Sequence, residues 1–257
     1  MSKKSCLIFV LIIIAAGGVY FNRIYSRFYG FLNNPAGLEK TLDFSRNYTV
    51  NPTGNSNSLR YAALGDSLTA GVGADSVEGT FPYQLAKKIT GSEKIKIELL
   101  NLGVPGARSA QVISGQLTEL EKFQPDLITL FIGTNDMHNW VSLAEFKENF
   151  QTILSRLSPL KCRVMVINLP YLGADNLAWP PLKLFFNEKI KKYNQIIVQE
   201  VEKAKLNSTA KFGLLDLHRG SAELFASSSE PVYSVDRYHP SAVGYKLWSE
   251  FIYANYH

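Results

Sequence analysis

Five short apolar runs alternate with amphipathic segments, and this alternation restricts the possible folds more than any other feature of the chain. Helices are predicted between the runs at about 81–90, 109–122, 143–157 and 182–204, with a last one at about 241–254. The apolar runs are Arg60 to Leu64, Ile95 to Leu102, Asp126 to Ile132, Cys162 to Leu169 and Lys211 to Leu217. Such a pattern predicts an α/β fold, a three-layer α/β/α sandwich around a five-stranded parallel sheet.

The segment 182–204 has the clearest helical periodicity. Its apolar residues recur at three- and four-residue spacing: Leu182, Phe185, Phe186, Ile190, Tyr193, Ile197, Val201 and Ala204. We interpret this stripe as core packing, with a lipid groove as the alternative.

Three short motifs fall at the boundaries of predicted elements. Gly65-Asp66-Ser67-Leu68 follows the first strand, Gly133-Thr134-Asn135-Asp136 follows the third, and Asp236-Arg237-Tyr238-His239-Pro240 precedes the last helix. Ligands of open α/β sheets bind beyond the carboxyl ends of the strands, so these motifs are expected to share one site. A serine hydroxyl needs a neighbouring base, and the base needs an acceptor that fixes its tautomer. Ser67, His239 and Asp236 are the candidates for these catalytic roles.

A fourth motif, Asn101-Leu102-Gly103-Val104-Pro105-Gly106, lies after the second strand. The four motifs, in this order over about residues 60–255, resemble the SGNH or GDSL hydrolase family, which is named for a Ser, a Gly, an Asn and a His in separate blocks. The resemblance implies the flavodoxin-like SGNH hydrolase fold and a serine esterase that needs no cofactor. It assigns the oxyanion hole to the backbone N–H groups of Ser67 and Gly103 and to the Asn135 amide, although Gly103 also fits a simple turn glycine.

The resemblance also ranks the catalytic residues. In the family the carboxylate is less critical than the serine or the histidine, so Asp236→Asn is expected to reduce activity less than His239→Ala. Thr69 stands where a G-x-S-x-G motif would have its second glycine, which disfavours the standard α/β-hydrolase fold.

Other polar residues near the motifs have less specific interpretations. Asp66 and Asp136 are predicted to brace loops, and no metal is predicted because no further His or carboxylate cluster accompanies them. His138, Leu177 and Trp179 are candidates for the substrate pocket, although His138 also fits an ordinary loop histidine. Leu177 and Trp179 would make the pocket apolar, as suits an acyl chain or a sugar face.

Composition excludes some classes of protein. The chain is 46% hydrophobic and 19% charged, which is typical of globular proteins and not of disordered chains. Six of the 27 basic and two of the 22 acidic residues lie in residues 1–59, so the rest has a net charge of only +1 and no nucleic-acid partner is predicted. Cys6 and Cys162 are not expected to form a disulfide, and Cys162 is interpreted as a buried thiol.

The N-terminal segment is interpreted as an export signal or a membrane anchor. Ser2, Lys3 and Lys4 precede an apolar run from Cys6 to Phe21. A helix of this length spans about 24 Å, short of a hydrocarbon core of roughly 30 Å. We favour an uncleaved signal anchor in residues 1–22 over a cleaved signal peptide, with a buried helix as the third alternative. A juxtamembrane linker at 23–59 and a hydrolase domain at 60–257, outside the cytoplasm, complete this organisation.

The sequence leaves the substrate open. Small acyl esters, lysophospholipids, thioesters and O-acetylated glycans all suit an acyl-serine mechanism, and an anchor would bring lipids within reach. An O-acyltransferase with the same triad and a non-catalytic domain that binds glycan or lipid remain alternatives.

Overall fold

The computed structural model describes residues 3–33, 47–50, 57–171 and 180–256. Its centre is one sheet of six strands. In chain order the strands are β1 Asn47–Val50, β2 Ser58–Gly65, β3 Lys96–Asn101, β4 Leu127–Phe131, β5 Arg163–Ile167 and β6 Lys211–Leu215.

The strand order is β1-β3-β2-β4-β5-β6. Strands β2 to β6 are parallel to one another, and β1 pairs antiparallel with β3 at one edge. Without β1 the order is that of flavodoxin-like proteins, in which the chain direction across the sheet reverses beside the first parallel strand. The predicted parallel α/β fold is therefore confirmed, and the crevice that this reversal opens lies at the carboxyl ends of β2 and β4.

Helices cover both faces of the sheet and include all of the predicted ones. The longer helices are α1 Lys3–Asn33, α3 Phe81–Glu93, α7 Leu143–Leu157, α8 Pro180–Leu206, α9 Leu217–Ala226 and α10 Ala242–Ala254. The shorter ones are α2 Ser67–Ala70, α4 Ser109–Gln111, α5 Leu117–Phe123 and α6 Thr134–His138. A 3₁₀ turn at Val77–Gly79 precedes α3, and a π-helical turn at Val112–Gln116 joins α4 to α5.

Successive residues of the strands enter different cores, because side chains alternate across a sheet. Along β2, Ala62 and Leu64 pack into a core with α5, α7 and α8, whereas Tyr61 and Ala63 pack into a second core with α3, α9 and α10. The parallel strands are buried on both faces, as their continuous apolar runs predict.

The stripe along α8 packs into the first core. Five of its members are buried and two are partly buried at its edge, which confirms core packing for the described side chains. The buried residues are Phe186, Ile190, Tyr193, Ile197 and Val201, and the partly buried ones are Phe185 and Ala204.

The structure contains elements that the sequence pattern did not predict. Asn47–Val50, within the segment interpreted as a linker, forms the edge strand β1 and buries Val50, so the sheet has six strands instead of five. The sequence did not mark this strand because four residues within a polar stretch are too few to show strand alternation. Helices α2 and α6 have four and five residues, which is too short to show a helical period.

The N-terminal segment forms the continuous helix α1, which contacts α8. The rings of Phe21 and Phe185 meet edge to face with centroids 5.8 Å apart. None of the helices in the described part of the chain is sufficiently long and apolar to cross a membrane.

Candidate active site

Ser67 lies at the start of α2, directly beyond the end of β2. A sharp turn at Gly65 makes this possible, because a Cβ atom there would lie 2.2 Å from both the Phe131 carbonyl oxygen and Thr69 Oγ1. Asp66 then caps α2 by accepting a hydrogen bond from the backbone N–H of Leu68 at 3.0 Å. Ser67 is partly exposed at the carboxyl edge of the sheet, whereas both of its neighbours are buried.

The structure brings Ser67, His239 and Asp236 together. His239 Nε2 lies 2.9 Å from Ser67 Oγ, and His239 Nδ1 lies 2.6 Å from Asp236 Oδ2. The serine and the histidine are 172 residues apart in the sequence. The arrangement is that of a nucleophile, a general base and a carboxylate that orients the base.

The loop before α10 preorganises the Asp236 carboxylate. Oδ1 accepts hydrogen bonds from Ser234 Oγ and from the backbone N–H groups of Tyr238 and His239, at 2.7 to 2.8 Å. Burial acts to raise the pKa of Asp236, but the hydrogen bonds and the neighbouring His239 outweigh burial and hold that pKa below its usual value. Asp236 is therefore an anion at neutral pH and can stabilise an imidazolium.

Asn135, at the start of α6, extends across the carboxyl edge of the sheet toward the Ser67 turn. Its Nδ2 atom donates to the Ala107 carbonyl oxygen at 3.0 Å and to Asp66 Oδ2 at 3.3 Å. Asp66 is almost fully buried, and this burial, with the nearby Asp136 charge, raises the pKa of Asp66 to about 7 despite the Leu68 hydrogen bond. Asp66 thus links the Ser67 turn to the amide that was predicted to bind an oxyanion.

Asp136 of α6 is bonded to Ser109 at the start of α4. Its carboxylate accepts hydrogen bonds from the backbone N–H of Ser109 at 2.9 Å and from Ser109 Oγ at 2.5 Å. Asn149 of α7 donates to the same Ser109 hydroxyl at 3.1 Å. Burial raises the pKa of Asp136 although the bonds from Ser109 oppose the shift. Both aspartates therefore brace loops, and in the described residues no three His, Cys, Asp or Glu side chains cluster as a metal site would require.

Gly103 lies against α2, and its backbone N–H has a partner. That N–H donates to Asn101 Oδ1 at 3.0 Å, while Asn101 Nδ2 donates to the Thr69 carbonyl oxygen at 2.9 Å. A Cβ atom at Gly103 would lie 2.3 Å from the backbone nitrogen of Ala70, so a glycine is needed for this close approach. The loop continues through Gly106, which has a left-handed φ of 78°, to Ala107, the acceptor of the Asn135 bond.

Gln116 contacts the turn that carries Ser67. The sequence analysis did not include this residue among the site candidates. Its side-chain amide forms two hydrogen bonds with Gly65, accepting from the backbone N–H at 2.9 Å and donating to the carbonyl oxygen at 2.7 Å. The available sequence signal was a polar residue on the apolar face of the segment 109–122, between Val112 and Leu120.

The predicted pocket residues have different outcomes. His138 is buried at 3% exposure, and its Nε2 atom lies 3.0 Å from the hydroxyl of Tyr238. Burial and the charge of Lys189 lower the pKa of His138 to about 3, so its imidazole is neutral. Leu177 and Trp179 lie outside the described residues.

Cys162 is a buried free thiol, and burial raises its pKa to about 11.

Comparison with known proteins identifies the family of the chain. Residues 63–247 match the family model of the GDSL-like lipase/acylhydrolase family. The chain belongs to this family. The matched range of this GDSL-like hydrolase begins within β2 and ends within α10, so it contains all four motifs and the site described above.

Relatives of this GDSL-like hydrolase include enzymes that are named as lipases and esterases. The spore germination lipase LipC of Bacillus licheniformis is 24% identical over 210 residues, which are 75% of this chain and 93% of that protein. A GDSL-like esterase of Mycobacterium tuberculosis is 25% identical over 194 residues, 74% of this chain and 59% of that protein. These relatives and the family together indicate a hydrolase that acts on ester bonds.

Solved structures share the fold. A lipase/acylhydrolase from Enterococcus faecalis superimposes with a TM-score of 0.62 at 21% identity, covering 77% of this chain and 94% of that one. An acetylxylan esterase from Geobacillus stearothermophilus superimposes with a TM-score of 0.60 at 16% identity, covering 76% and 93%.

Proposed function

We propose that this GDSL-like hydrolase is a serine esterase that forms an acyl-enzyme on Ser67. The observation that carries the proposal is the pair of hydrogen bonds, at 2.9 and 2.6 Å, that connects Ser67 through His239 to Asp236. A hydroxyl paired with a base, and a base paired with a carboxylate, is the arrangement that activates a serine nucleophile.

In the proposed reaction, His239 Nε2 takes the proton from Ser67 Oγ as the oxygen attacks the ester carbonyl carbon. The bond to the alcohol oxygen then breaks, and His239 returns the proton to the leaving alcohol. A water molecule, deprotonated by His239, then attacks the acyl carbon. The bond from that carbon to Ser67 Oγ breaks, His239 returns the proton to Oγ, and the carboxylic acid is released. Asp236 stabilises the imidazolium in both steps without accepting its proton.

The tetrahedral intermediates would be stabilised by the Ser67 backbone N–H, the Asn135 amide and one further backbone N–H. The sequence predicted Gly103 for this last role, but its N–H donates to Asn101. Gly106 is the second candidate, because it adjoins Ala107, the residue that holds the Asn135 amide. Each such donor typically contributes about 100- to 1,000-fold in rate.

Proton NMR of the ¹⁵N-labelled protein can distinguish the two glycines. A fluorophosphonate bound covalently to Ser67 forms a tetrahedral adduct whose polar phosphoryl oxygen lies where the oxyanion would form. The amide proton that donates to this oxygen should move to low field when the adduct forms. A shift at Gly106 alone would reject Gly103 as the donor, and a shift at Gly103 alone would reject Gly106.

The central test compares hydrolysis of p-nitrophenyl esters, from acetyl to palmitoyl, by the full chain and by its Ser67→Ala variant. The wild-type protein should release p-nitrophenol and react with a fluorophosphonate probe, and the variant should do neither. Equal turnover by both proteins would reject Ser67 as the nucleophile. Failure of the wild-type protein with both reagents would favour a non-catalytic binding domain.

Two further variants test the roles of the other triad members. His239→Ala should lose nearly all activity because no other base adjoins Ser67 Oγ in the described residues. Asp236→Asn should retain more activity, as the family resemblance implies for the carboxylate, because the imidazole itself still adjoins Ser67 Oγ. The kcat values of both variants, measured at one pH, check this order, and a lower value for Asp236→Asn would contradict it.

The proposed substrates are acyl esters, either of lipids or of O-acylated glycans. A lipid ester is supported by the sequence relative named as a spore germination lipase, and a glycan ester by the fold relative named as an acetylxylan esterase. The chain-length optimum in the ester series separates the two classes. An optimum at acetyl favours an acetylated glycan, and an optimum at a long chain favours a lipid.

We also propose that the catalytic domain is exported from the cytoplasm. The support is the order of the N-terminal sequence, in which Lys3 and Lys4 precede the apolar run of α1. Cell fractionation with an antibody to the catalytic domain tests this proposal, and recovery of the full-length protein in the soluble cytosol would contradict it.

A further inference from the structure

Tyr238 stands between the two triad residues of the last motif and contacts both. Its backbone N–H donates to Asp236 Oδ1 at 2.8 Å. Its ring meets the imidazole of His239 at a centroid separation of 4.9 Å and an interplanar angle of 88°. This edge-to-face contact is a third restraint on the imidazole, in addition to the hydrogen bonds at Nδ1 and Nε2.

The phenol of Tyr238 is itself held in place by His138. The Tyr238 hydroxyl lies 3.0 Å from His138 Nε2, and the two rings lie 5.8 Å apart. The His138 imidazole is buried and packs against Phe186 of α8 at 5.2 Å. The tyrosine ring, although half-buried, is therefore bonded at its outer end to an immobile group.

His138 belongs to the helix that also carries the oxyanion candidate. Helix α6 spans only Thr134–His138, with Asn135 in its first turn and His138 as its last residue. The Tyr238–His138 bond consequently joins the loop of the general base to the helix of the oxyanion donor. Displacement of a reacting group by about 1 Å can cost about 100-fold in rate, so a link that fixes the distance between these two groups matters for catalysis.

We propose that Tyr238 and His138 act as a pair of positioning residues that fixes the His239 imidazole relative to Asn135. The proposal rests on the proposed serine esterase function, in which His239 is the base. It assigns His138 an indirect role behind the site, in place of the pocket-lining role for which the sequence made it a candidate. Neither residue exchanges a proton with the substrate.

A double-mutant cycle tests the pair in the full chain. Tyr238→Phe removes only the hydroxyl, and His138→Phe removes the bonding nitrogen while keeping a ring beside Phe186. Each single variant should lower kcat about 5- to 10-fold with KM within about twofold. The double variant should be no slower than the slower single variant, because both substitutions break the same bond. Reductions that multiply in the double variant, or an unchanged kcat in Tyr238→Phe, would overturn the proposal.

A matched control and a conservative variant separate positioning from loss of stability. Tyr83→Phe removes a hydroxyl from another half-buried tyrosine, on α3 at the opposite face of the sheet, and should leave kcat unchanged. His138→Gln keeps a polar group near the phenol and should recover part of the rate lost in His138→Phe. If His138→Gln and His138→Phe had equal kcat values and Tyr238→Phe had the wild-type value, His138 would act only through packing. That result would reject the proposed pair.

A readout that needs no turnover keeps this inference separate from the proposed function. The proton between His239 Nδ1 and Asp236 should give a low-field ¹H NMR signal, which the Asp236→Asn variant identifies. In Tyr238→Phe this signal should broaden or disappear through faster exchange, whereas in Tyr83→Phe it should stay. A sharp, unshifted signal in Tyr238→Phe contradicts the positioning role. A failed esterase assay with the expected NMR changes contradicts the esterase alone.

Discussion

At the scale of single residues, the site depends on a few close contacts that tolerate no added atoms. Gly65 is the strictest case, because the two atoms that a Cβ would meet at 2.2 Å include a backbone oxygen of the neighbouring strand. Backbone cannot move away as a flexible side chain can. The glycine of the Gly-Asp-Ser motif is therefore required by packing between β2 and β4, independently of catalysis.

Gly65→Ala should destabilise the fold by about 3 kcal/mol or more, within the range of severe overpacking. The free energy of unfolding in urea measures the effect. Gly91→Ala is the matched control, because a Cβ atom at Gly91 in α3 would have no other atom within 4 Å, and this variant should gain up to about 1 kcal/mol. Equal stabilities of the two variants would contradict the steric argument.

Two buried groups should give the stability opposite dependences on pH. In the unfolded chain Asp66 titrates near 3.8, and in the folded protein its pKa is about 7. Between these values the folded state binds more protons, so this contribution to stability falls as pH rises. His138 has the reverse effect, because folding lowers its pKa from 6.5 to about 3. Between these two pH values the unfolded state binds more protons, so the contribution of His138 to stability falls as the pH drops.

Urea unfolding at steps from pH 4 to pH 7 separates the two contributions. Asp66→Asn removes the Asp66 contribution, so its stability relative to the wild-type protein should increase with pH. His138→Gln removes the other contribution, so its relative stability should increase as pH falls. Each unit of pKa shift corresponds to about 1.4 kcal/mol. Curves parallel to that of the wild-type protein would show that these groups titrate alike in both states.

At the scale of elements, the turn at Gly65 and Ser67 is held by the π-helical segment that joins α4 to α5. Gln116, the last residue of the π-helical turn, accepts from the Gly65 N–H and is one of two donors to the Gly65 carbonyl oxygen, the other being the Val104 N–H. A buried backbone group left without a partner costs about 1 to 3 kcal/mol. This explains why a polar side chain occupies the apolar face of that segment.

Gln116→Leu should lower the stability by about 1 to 3 kcal/mol, because the buried Gly65 N–H loses its partner while the Gly65 carbonyl oxygen keeps the bond from Val104. The rate of fluorophosphonate labelling should fall about tenfold, because the Ser67 turn loses its support. Thermal unfolding and the rate of fluorophosphonate labelling measure the two effects. Gln151→Leu is the control, since Gln151 of α7 bonds to Glu200, away from the turn, and should leave the labelling rate unchanged. Unaltered labelling in Gln116→Leu would confine this residue to a structural role.

At the scale of the whole molecule, the strand order determines which loops meet. The crevice lies where β2 and β4 adjoin at the reversal of the sheet, and it collects Ser67 from the end of β2 and Asn135 from the end of β4. The loop before α10 adds His239, which is distant from Ser67 in the sequence but adjoins it in space. Edge strand β1 lies on the far side of β3, so it contributes to the sheet without approaching this crevice.

Truncation should show that β1 belongs to the folded domain. A chain that begins at residue 60 lacks β1 and the first two residues of β2, which pair with β3. Compared with a chain that begins at residue 47, it should be less stable by about 2 kcal/mol or more, from the lost burial of Val50 and the lost ladder. Identical urea midpoints for the two chains would show that β1 contributes nothing to stability.

The sequence by itself determined the fold class, the core and the residue types of the site. Long apolar runs and the α8 stripe express burial directly, and the four motifs, through their resemblance to the GDSL family, made Ser67, Asn135, Asp236 and His239 the candidates before any geometry was known. These features are visible in a sequence because strand alternation, helical period and motif spacing are local properties of the chain.

Only the tertiary structure decided the contacts between distant segments. The pairing of β1 with β3, the Gln116 amide at Gly65, the Asn101 amide at the Thr69 carbonyl and the bond between Tyr238 and His138 each depend on where two segments meet. Hydrogen-bond partners separated by tens of residues leave no period in the sequence, and a polar residue on an apolar face does not name its partner. The physical reason is that burial is encoded one residue at a time, whereas a specific polar contact exists only when the packed elements bring its two partners together.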